Sequence, residues 1–480
     1  MQPFTGFALV TVYGIAMVLI AIMINRRSDV SSSAGFFVAN RRATAPFIAI
    51  SFMATFMWGA DLLAVPETVY LTGIAGIWMY GLPIVIGGFV IIPIANRLRS
   101  IMPSAMTYQE FFRKRLDNKN HLLYVAIGCY TMLVAGALQL RAAGQIIGGI
   151  ASIDPLVVAS VVAVIVMIYS VITGIWASVS TDLVQVATTV IMTLIFIPYM
   201  VTTAGGIGEV HTTLTETVDP TVMLSFSSPG WDTLYAFFLP FLLGWSLWGI
   251  ASMSVWQRAM SVRKDRISRT FLFGSIGWFS TIPLYGIVGL LALAFFPDLA
   301  RPDEAGIEVY TTLLGGLAAI IFVVTLLGLV FSTTDSAVLA LALLGTRDIY
   351  KQYLNPGASN AETVRVARLC IVGFTGLTLL TMYAIWTVDF LTLIWINSIG
   401  ITAVFFPLLY CLYWRKTSSN AVFVTSIAVI GVIVSMLVLG YDIPLIYLVG
   451  HGIAAILTPT LTIAWPSEFE FSDLTMEDPA

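Results

Sequence analysis

Thirteen apolar stretches, most of them about as long as the roughly 20 residues a helix needs to cross hydrocarbon, divide this chain of 480 residues into a repeating pattern. They fall near residues 6–24, 46–70, 74–96, 122–150, 155–173, 179–203, 231–254, 270–296, 307–345, 367–387, 390–413, 420–439 and 442–464. Within a bilayer each backbone N–H and C=O must find its partner inside the protein, which leaves helices or closed barrels. The runs are continuous rather than alternating, so a barrel of short strands is excluded. Only 10% of the residues are charged and the mean hydropathy is +0.93; soluble domains carry about a quarter charged residues. The sequence therefore predicts an all-α polytopic membrane protein with 13 transmembrane helices and little outside the membrane. The ninth run is too long for one upright helix and is expected to begin in an outer segment.

Charge placement gives the orientation. With the N-terminus outside, the inner loops hold Arg26, Arg27, Arg41 and Arg42; the cations from Arg97 to Lys119; Arg258, Arg263, Lys264, Arg266 and Arg269; those from Arg347 to Arg368; and Arg415 with Lys416. That is 21 of the 23 Lys and Arg residues. Arg301 is left outside, and Arg141 lies within a span. Positive charge concentrates on the cytoplasmic side, so the reading is a multi-pass protein of the plasma (cytoplasmic) membrane with an outer N-terminus and a cytoplasmic C-terminus. Arg26 and Arg27 follow the first apolar run, so that run reads as a retained span and not a cleaved leader. Cys129, Cys370 and Cys411 sit in or beside apolar runs, which argues against a disulfide framework. His121, His211 and His451 are too few and too scattered for a haem or zinc enzyme.

The second span contains Trp58-Gly59 and the seventh contains Trp248-Gly249, and the two spans run in opposite directions. Five spans follow from each. Inverted repeats that each open on an interrupted helix are a common transporter plan. The expected organisation is a first helix and cytoplasmic loop over 1–45, a first five-helix repeat over 46–204 and an extracellular loop over 205–230. A second five-helix repeat follows over 231–413, then two peripheral helices over 414–465 and an acidic cytoplasmic tail over 466–480. The 5+5 core thus has one helix before it and two after it.

Ionisable residues inside spans are costly and mark cavities, partners or pathways. Here they are Asp61, Glu67, Arg141, Asp182 and Asp335. Asp335 closes the run Ser332-Thr333-Thr334-Asp335-Ser336. On a helix, 332, 335, 336 and 339 share a face, as do 333 and 336. Hydroxyl and carbonyl oxygens suit a hard cation, and carbonyls freed at the break in the second span are placed to complete a sodium cage. The same hydroxyls also serve to bond the preceding turn and pack helices closely. Arg141 either neutralises Asp61, Glu67 or Asp182, or holds a solute carboxylate. Trp58 and Trp248 invite a cation–π pocket, or act as packing anchors.

These features together resemble the sodium/solute symporter family over nearly the whole chain. The resemblance rests on Ala54-Thr55 with Trp58-Gly59; Glu67-Thr-Val-Tyr70-Leu-Thr-Gly73; Thr173-Gly174 through Thr181-Asp182-Leu-Val-Gln185; Trp256-Gln257-Arg258; and Ser332-Thr333-Thr-Asp335-Ser336 followed by Arg347-Asp348-Ile349-Tyr350. It implies a leucine-transporter-type fold. It also implies a sodium site formed by the carbonyls of Ala54, Met57 and Leu329 and the hydroxyls of Ser332 and Thr333. Asp182 matches an acidic position in a second cation site or relay of some members, with Asp335 and Ser336 as further candidates. Glu67 to Tyr70 and Asp335-Ser336 are most similar to the choline-transporter-like branch, while Asp61, Pro66 and Arg141 depart from it.

The function expected is Na+-coupled symport of a small organic solute, zwitterionic or cationic, by alternating access. Trp58, Asp61, Glu67, Arg141 and Trp248 are the candidate solute residues. The solute and the lipid bilayer are the expected partners, with no nucleic acid and no enzymatic activity. The alternatives are a transporter-like membrane sensor of the same solutes, a channel, or a symporter driven by H+, since Asp182 and Asp335 are acids placed to carry a proton.

Overall fold

The computed structural model describes residues 1–26, 32–41, 43–219, 223 and 230–476, so Arg27 and Arg42 of the inner-loop count and the end of the acidic tail lie outside the described residues. The described residues carry helices and no named strand. The principal helices are α1 Pro3–Asn25, α2 Ala45–Phe56, α3 Asp61–Thr72, α4 Gly76–Ile101, α5 Asn118–Ala151, α6 Pro155–Thr173 and α7 Ile175–Thr203. They continue as α8 Trp231–Ala251, α9 Met253–Ser261, α10 Ile267–Phe279, α11 Ile282–Phe295, α12 Gly316–Leu343, α13 Asn360–Ala384, α14 Phe390–Ile399, α15 Phe405–Tyr413, α16 Ser419–Val438 and α17 Ile443–Ala464.

Among the described residues, 12 helices are long and apolar enough to cross a membrane, with Asp61–Ile101 counted as a single run and Ala45–Phe56 as a shorter apolar helix. That long run is divided at Gly73, whose φ of +67° suits glycine and where a Cβ would lie 2.0 Å from the Met223 carbonyl oxygen. Joining α3 to α2 instead restores the thirteen crossings read from the sequence. The ninth run divides as well: Ala305–Leu313 is a separate helix before α12.

Each five-crossing stretch begins with an interrupted helix. The first stretch opens with α2 and α3, separated at Met57–Ala60. The second opens with α8 and α9, separated at Ser252, which takes an extended backbone of φ −78° and ψ +111°. Trp248-Gly249 is helical and lies one turn before that interruption, which corrects the placement of the break inferred from the Trp-Gly pair. Pro66 sits within α3 and is not the site of the first break.

α12 is the central element. It packs along α5 and α7 and also meets α2 and α9. Its residues from Leu326 through Leu343 are buried, including all five of Ser332, Thr333, Thr334, Asp335 and Ser336. The periphery is the reverse: Leu369 and Leu380 on α13, Val434 on α16 and Ile456 on α17 present apolar side chains outward, as lipid-facing positions should.

Two readings made from charge change here. Arg258 does not belong to an inner loop: it is 1% exposed, on α9. Arg141 is therefore not alone among deeply buried cations.

Candidate ion and solute site

In an unbroken helix the Trp58 N–H would bond to the Ala54 carbonyl and the Asp61 N–H to the Met57 carbonyl. Neither bond forms. The Trp58 N–H donates to Asp61 Oδ2 at 3.1 Å, and the Asp61 N–H donates to the Trp58 carbonyl at 3.0 Å. Nothing among the described hydrogen bonds replaces them at Ala54 or Met57, while the Thr55 carbonyl accepts Trp58 Nε1 at 2.9 Å. The Asp61 carboxylate is the cause of this arrangement. It sits in the first turn of α3, where the helix dipole favours negative charge. It also accepts Tyr80 OH at 2.6 Å and Trp278 Nε1 at 3.2 Å. Three donors of the chain thus engage Asp61, which ties the unwound Trp58 to the start of α3 and to Tyr80 and Trp278.

Across from these carbonyls stands α12. Ala54, Met57, Leu329 and Ser332 line one cleft together with Gln185, Val186, Thr189 and Gly328, and it leaves no room for a water-sized sphere. Ser332 Oγ donates its proton to Asp182 Oδ1 at 2.6 Å, which turns its lone pairs elsewhere. Thr333 Oγ1, Gln185 Oε1 and Thr189 Oγ1 are buried oxygens without a hydrogen-bond partner. A buried polar group left unpaired costs about 1–3 kcal/mol. Unpaired oxygens and freed carbonyls are the donor set that holds alkali ions at unwound helices, so these residues fit a small hard cation. Gln185 and Thr189 were not singled out from sequence. The three-residue spacing from Asp182 to Gln185 was visible, but nothing in it says which face of α7 meets the break. No group of three or more His, Cys, Asp or Glu suited to a metal ion occurs among the described residues.

Beside the cleft lies a second buried cluster. Asp182 accepts Ser51 Oγ at 2.5 Å as well as Ser332. Asp335 accepts Ser178 Oγ at 2.8 Å, Tyr169 OH at 2.8 Å and Ser336 Oγ at 3.2 Å. Arg258 Nη2 reaches Ser336 Oγ at 2.7 Å, Asp182 Oδ2 at 3.3 Å and Ser178 Oγ at 3.3 Å. Asp182, Asp335 and Ser336 are thus brought together, joined by an arginine that had been assigned to a loop. Ser51, Ser178 and Tyr169 complete the set.

The candidate solute residues divide. Trp58 and Trp248 meet edge to face with ring centroids 5.2 Å apart, and Trp245 lies 4.7 Å from Trp58. This places a buried aromatic cluster between the two helix breaks. Glu67 is on α3, beyond Asp61, with Oε2 buried and unpartnered. Arg141 donates to the carbonyls of Ile385, at 3.1 Å, and Val388. Its guanidinium carbon lies 4.5 Å from the Phe390 ring centroid, and its Nε and Nη2 are unpartnered. Pairing of Arg141 with Asp61, Glu67 or Asp182 is not found among the described ion pairs, which corrects that expectation. Carbonyls just past the C-terminal end of α13 offer the partial negative charge instead. Asp182 pairs with Arg258, and Asp61 is satisfied by neutral donors.

Comparison with known proteins adds the following. Residues 36–429 match the model of the Sodium:solute symporter family. A urea-proton symporter, DUR3, of Oryza sativa subsp. japonica is 22% identical over 371 residues, covering 72% of this chain and 52% of the relative. A probable urea active transporter of Schizosaccharomyces pombe is 23% identical over 403 residues, covering 77% of this chain and 60% of the relative. The chain thus spans little more than half the length of these two relatives. The sodium/proline symporter of Haemophilus influenzae is 26% identical over 451 residues, with 85% and 84% covered. These relatives are named for urea and proline, not choline. Among solved structures, a Na+-coupled sialic acid symporter aligns with a TM-score of 0.81 at 16% identity, covering 97% of this chain and 99% of the other. Mhp1, a nucleobase-cation-symport-1 family transporter, aligns with 0.61 at 14% identity, covering 92% and 98%. At such identities the likeness concerns the fold alone, and it is the two-repeat transporter fold that the sequence predicted. With the matched segment covering most of the chain, the protein belongs to the sodium:solute symporter family.

Proposed function

We propose that this protein is a secondary active transporter that couples inward movement of Na+ to uptake of a small organic solute. One observation carries the reading. The Ala54 and Met57 carbonyls are released from helical bonding in a buried cleft too narrow for water, lined on the α12 side by Leu329 and Ser332, and the next residue, Thr333, has a buried hydroxyl without a partner. Such a site favours a small cation stripped of its hydration shell. Leu329 and Ser332 supply the remaining oxygens. Binding there ties α2 and α3 to α12 and so favours one arrangement of the two repeats. Solute closes the outer side, the repeats rock, and low cytosolic Na+ empties the site. Coupling is reciprocal, so Na+ raises solute affinity by the factor that solute raises Na+ affinity.

The solute site of this reading lies among Trp58, Trp245 and Trp248, with Glu67 and Arg141 toward the outer side. Incompletely paired groups of both signs suit a zwitterion. The proline symporter among the relatives supports that class, and the urea transporters support a small neutral solute. The motifs shared with the choline-transporter-like branch keep a cationic solute among the compounds to test. The repeats run over 46–204 and 231–413 in this reading. The N-terminus is outside and the C-terminus cytoplasmic in the plasma membrane. Consistent with a shared inner face, Arg97 donates to the Leu412 carbonyl at 3.2 Å and Arg115 to that of Arg415 at 2.8 Å.

A proton-driven reading is favoured by one observation: Asp335 is buried among three hydroxyl donors and has no ion pair within the described residues. The test is uptake of labelled proline, urea and choline into proteoliposomes under a Na+ gradient, a K+ gradient or a pH gradient alone. Accumulation that needs Na+ at fixed pH supports the sodium reading. Equal uptake in K+ overturns it, and uptake driven by the pH gradient alone replaces it with the proton reading.

A further inference from the structure

Arg258 spends every nitrogen of its guanidinium inside the bundle. Nε donates to Ser51 Oγ at 3.2 Å, Nη1 to the Ser254 carbonyl at 3.2 Å, and Nη2 to Ser336 Oγ, Asp182 Oδ2 and Ser178 Oγ. The last three oxygens come from two different helices, α7 and α12, and converge on a single nitrogen. This is the arrangement oxygens take around an ion, with a side-chain cation at its centre. Two of the three, Asp182 and Ser336, are among the residues that the family resemblance implied for a second cation site or relay; the third candidate, Asp335, accepts Ser178 and Ser336 beside them. Each of the three nitrogens of Arg258 already has an acceptor, and with 1% exposure the side chain has no access to a solute.

Charge balance leads to the same place. With both of its carboxylates, Asp182 and Asp335, ionised against the one guanidinium, the cluster carries one net negative charge. Ser332 belongs both to this cluster, through its bond to Asp182, and to the lining of the neighbouring cleft. One monovalent cation in the cleft brings the whole assembly to neutrality. A second would leave an uncompensated positive charge in a buried, low-dielectric region, which is strongly unfavourable.

We infer that Arg258 is a built-in counter-ion that fills the second cation position formed by Asp182, Ser178 and Ser336, so that the protein binds one monovalent cation per solute. The inference rests on the sodium reading of the cleft for the identity of that one ion. Because Arg258 is tethered to α9, its charge stays with the protein through the cycle, and only the cation in the cleft is free to leave. Arg258 is thus a positioning residue. It neutralises Asp182, which in turn holds the hydroxyl of Ser332.

The test is equilibrium binding of ²²Na+ to the purified full chain, with the Hill coefficient read from the same titration. The wild-type protein should bind one ion per chain with a Hill coefficient of about one. Arg258→Ala removes the tethered charge and should bind two. Arg258→Lys keeps a cation in place and should bind one. The double variant Arg258→Ala/Asp335→Asn removes one charge of each sign and should return to one. Two ions on the wild-type protein, or an unchanged count of one in Arg258→Ala, overturns the inference while the sodium reading stands. No ion on the wild type but one on Arg258→Ala overturns the sodium reading of the cleft and supports Arg258 as the occupant. No ion on either overturns both. Should Arg258→Ala not fold, Arg258→Gln, which keeps the length of the side chain without its charge, replaces it, and the wild-type count decides independently.

Discussion

At the break in the second span the Ala54 and Met57 carbonyls lose their helical donors and no described donor takes over. At the break in the seventh span two of the three freed carbonyls are covered, Ile250 by Trp256 Nε1 at 2.9 Å and Ala251 by Tyr108 OH at 3.3 Å, while no described donor reaches that of Gly249. Two interruptions at corresponding positions of the two repeats have therefore been completed to different degrees. One is held open by a carboxylate, Asp61, and keeps bare oxygens. The other is largely covered by aromatic donors and leads into a cation, Arg258. The difference teaches why an ion should choose the first break: free carbonyls attract it, and the second break already carries positive charge.

The largest effect that tests this contrast comes from Asp61. Asp61→Ala leaves the Trp58 N–H, Tyr80 OH and Trp278 Nε1 without their acceptor, each a bond to a charged group worth about 1.5–3 kcal/mol. It also lets Trp58 return to the Ala54 carbonyl. Na+-driven uptake should fall by roughly 100-fold or more, since more than about 2.7 kcal/mol is lost at the ion site. Near-normal Na+ dependence in a stably folded Asp61→Ala protein would break the contrast at its root. Next in size are Ser332→Ala and Thr333→Ala. Each removes one hydroxyl of the proposed ion site and should raise the Na+ concentration for half-maximal stimulation about 10-fold, or about 1.4 kcal/mol. Unchanged values in both would remove α12 from the ion site.

How far these parts were legible in the sequence follows from what each depends on. The spans were legible because burial in lipid is written residue by residue. The face carrying Ser332, Thr333, Asp335 and Ser336 was legible because helical spacing is fixed. Arg258 was hidden by its neighbours: Arg263, Lys264, Arg266 and Arg269 follow so closely that a count of loop charge absorbs it. Its burial depends on α9 ending inside the bundle, and no local pattern records that. The partner of Arg141 was illegible for another reason, since a backbone carbonyl carries no side-chain signature. The second break was misplaced by one turn because Trp-Gly is a composition match, whereas the carbonyls just before the extended Ser252 are met by Trp256 and by Tyr108, a residue distant in sequence.

A smaller effect tests the largely covered break. Tyr108→Phe uncovers the Ala251 carbonyl and should cost about 1 kcal/mol of stability, the usual worth of one neutral hydrogen bond. Thermal unfolding of the purified protein reads this. The Na+ concentration for half-maximal stimulation should move by less than about 2-fold, corresponding to under about 0.5 kcal/mol. A shift as large as that of Thr333→Ala would mean that the second break also holds the ion, and the contrast would be lost.

The smallest effect is expected at an ion pair between the two repeats, away from their breaks. Arg347 Nε bonds Glu110 Oε1 there, so this pair, like Arg258 with Asp182, sets an acid of the first repeat against an arginine of the second. Burial alone would raise the Glu110 carboxyl. Arg347, the Met106 N–H and Arg113 outweigh it and hold the group below its ordinary value of 4.5. A carboxyl depressed in the folded state stabilises the fold at neutral pH, and that contribution is lost as pH falls below the ordinary value through the folded one. Melting temperature should therefore decline on acidification across that window, and Glu110→Gln should flatten that part of the decline. At neutral pH the substitution should cost on the order of 1 kcal/mol, because Arg347 remains 25% exposed and is screened by water. Uptake by Glu110→Gln at neutral pH should stay close to that of the wild type. A loss comparable to that of an Arg258 variant would show that the Glu110–Arg347 pair shares in ion coupling, and would extend the contrast between the repeats beyond their two breaks.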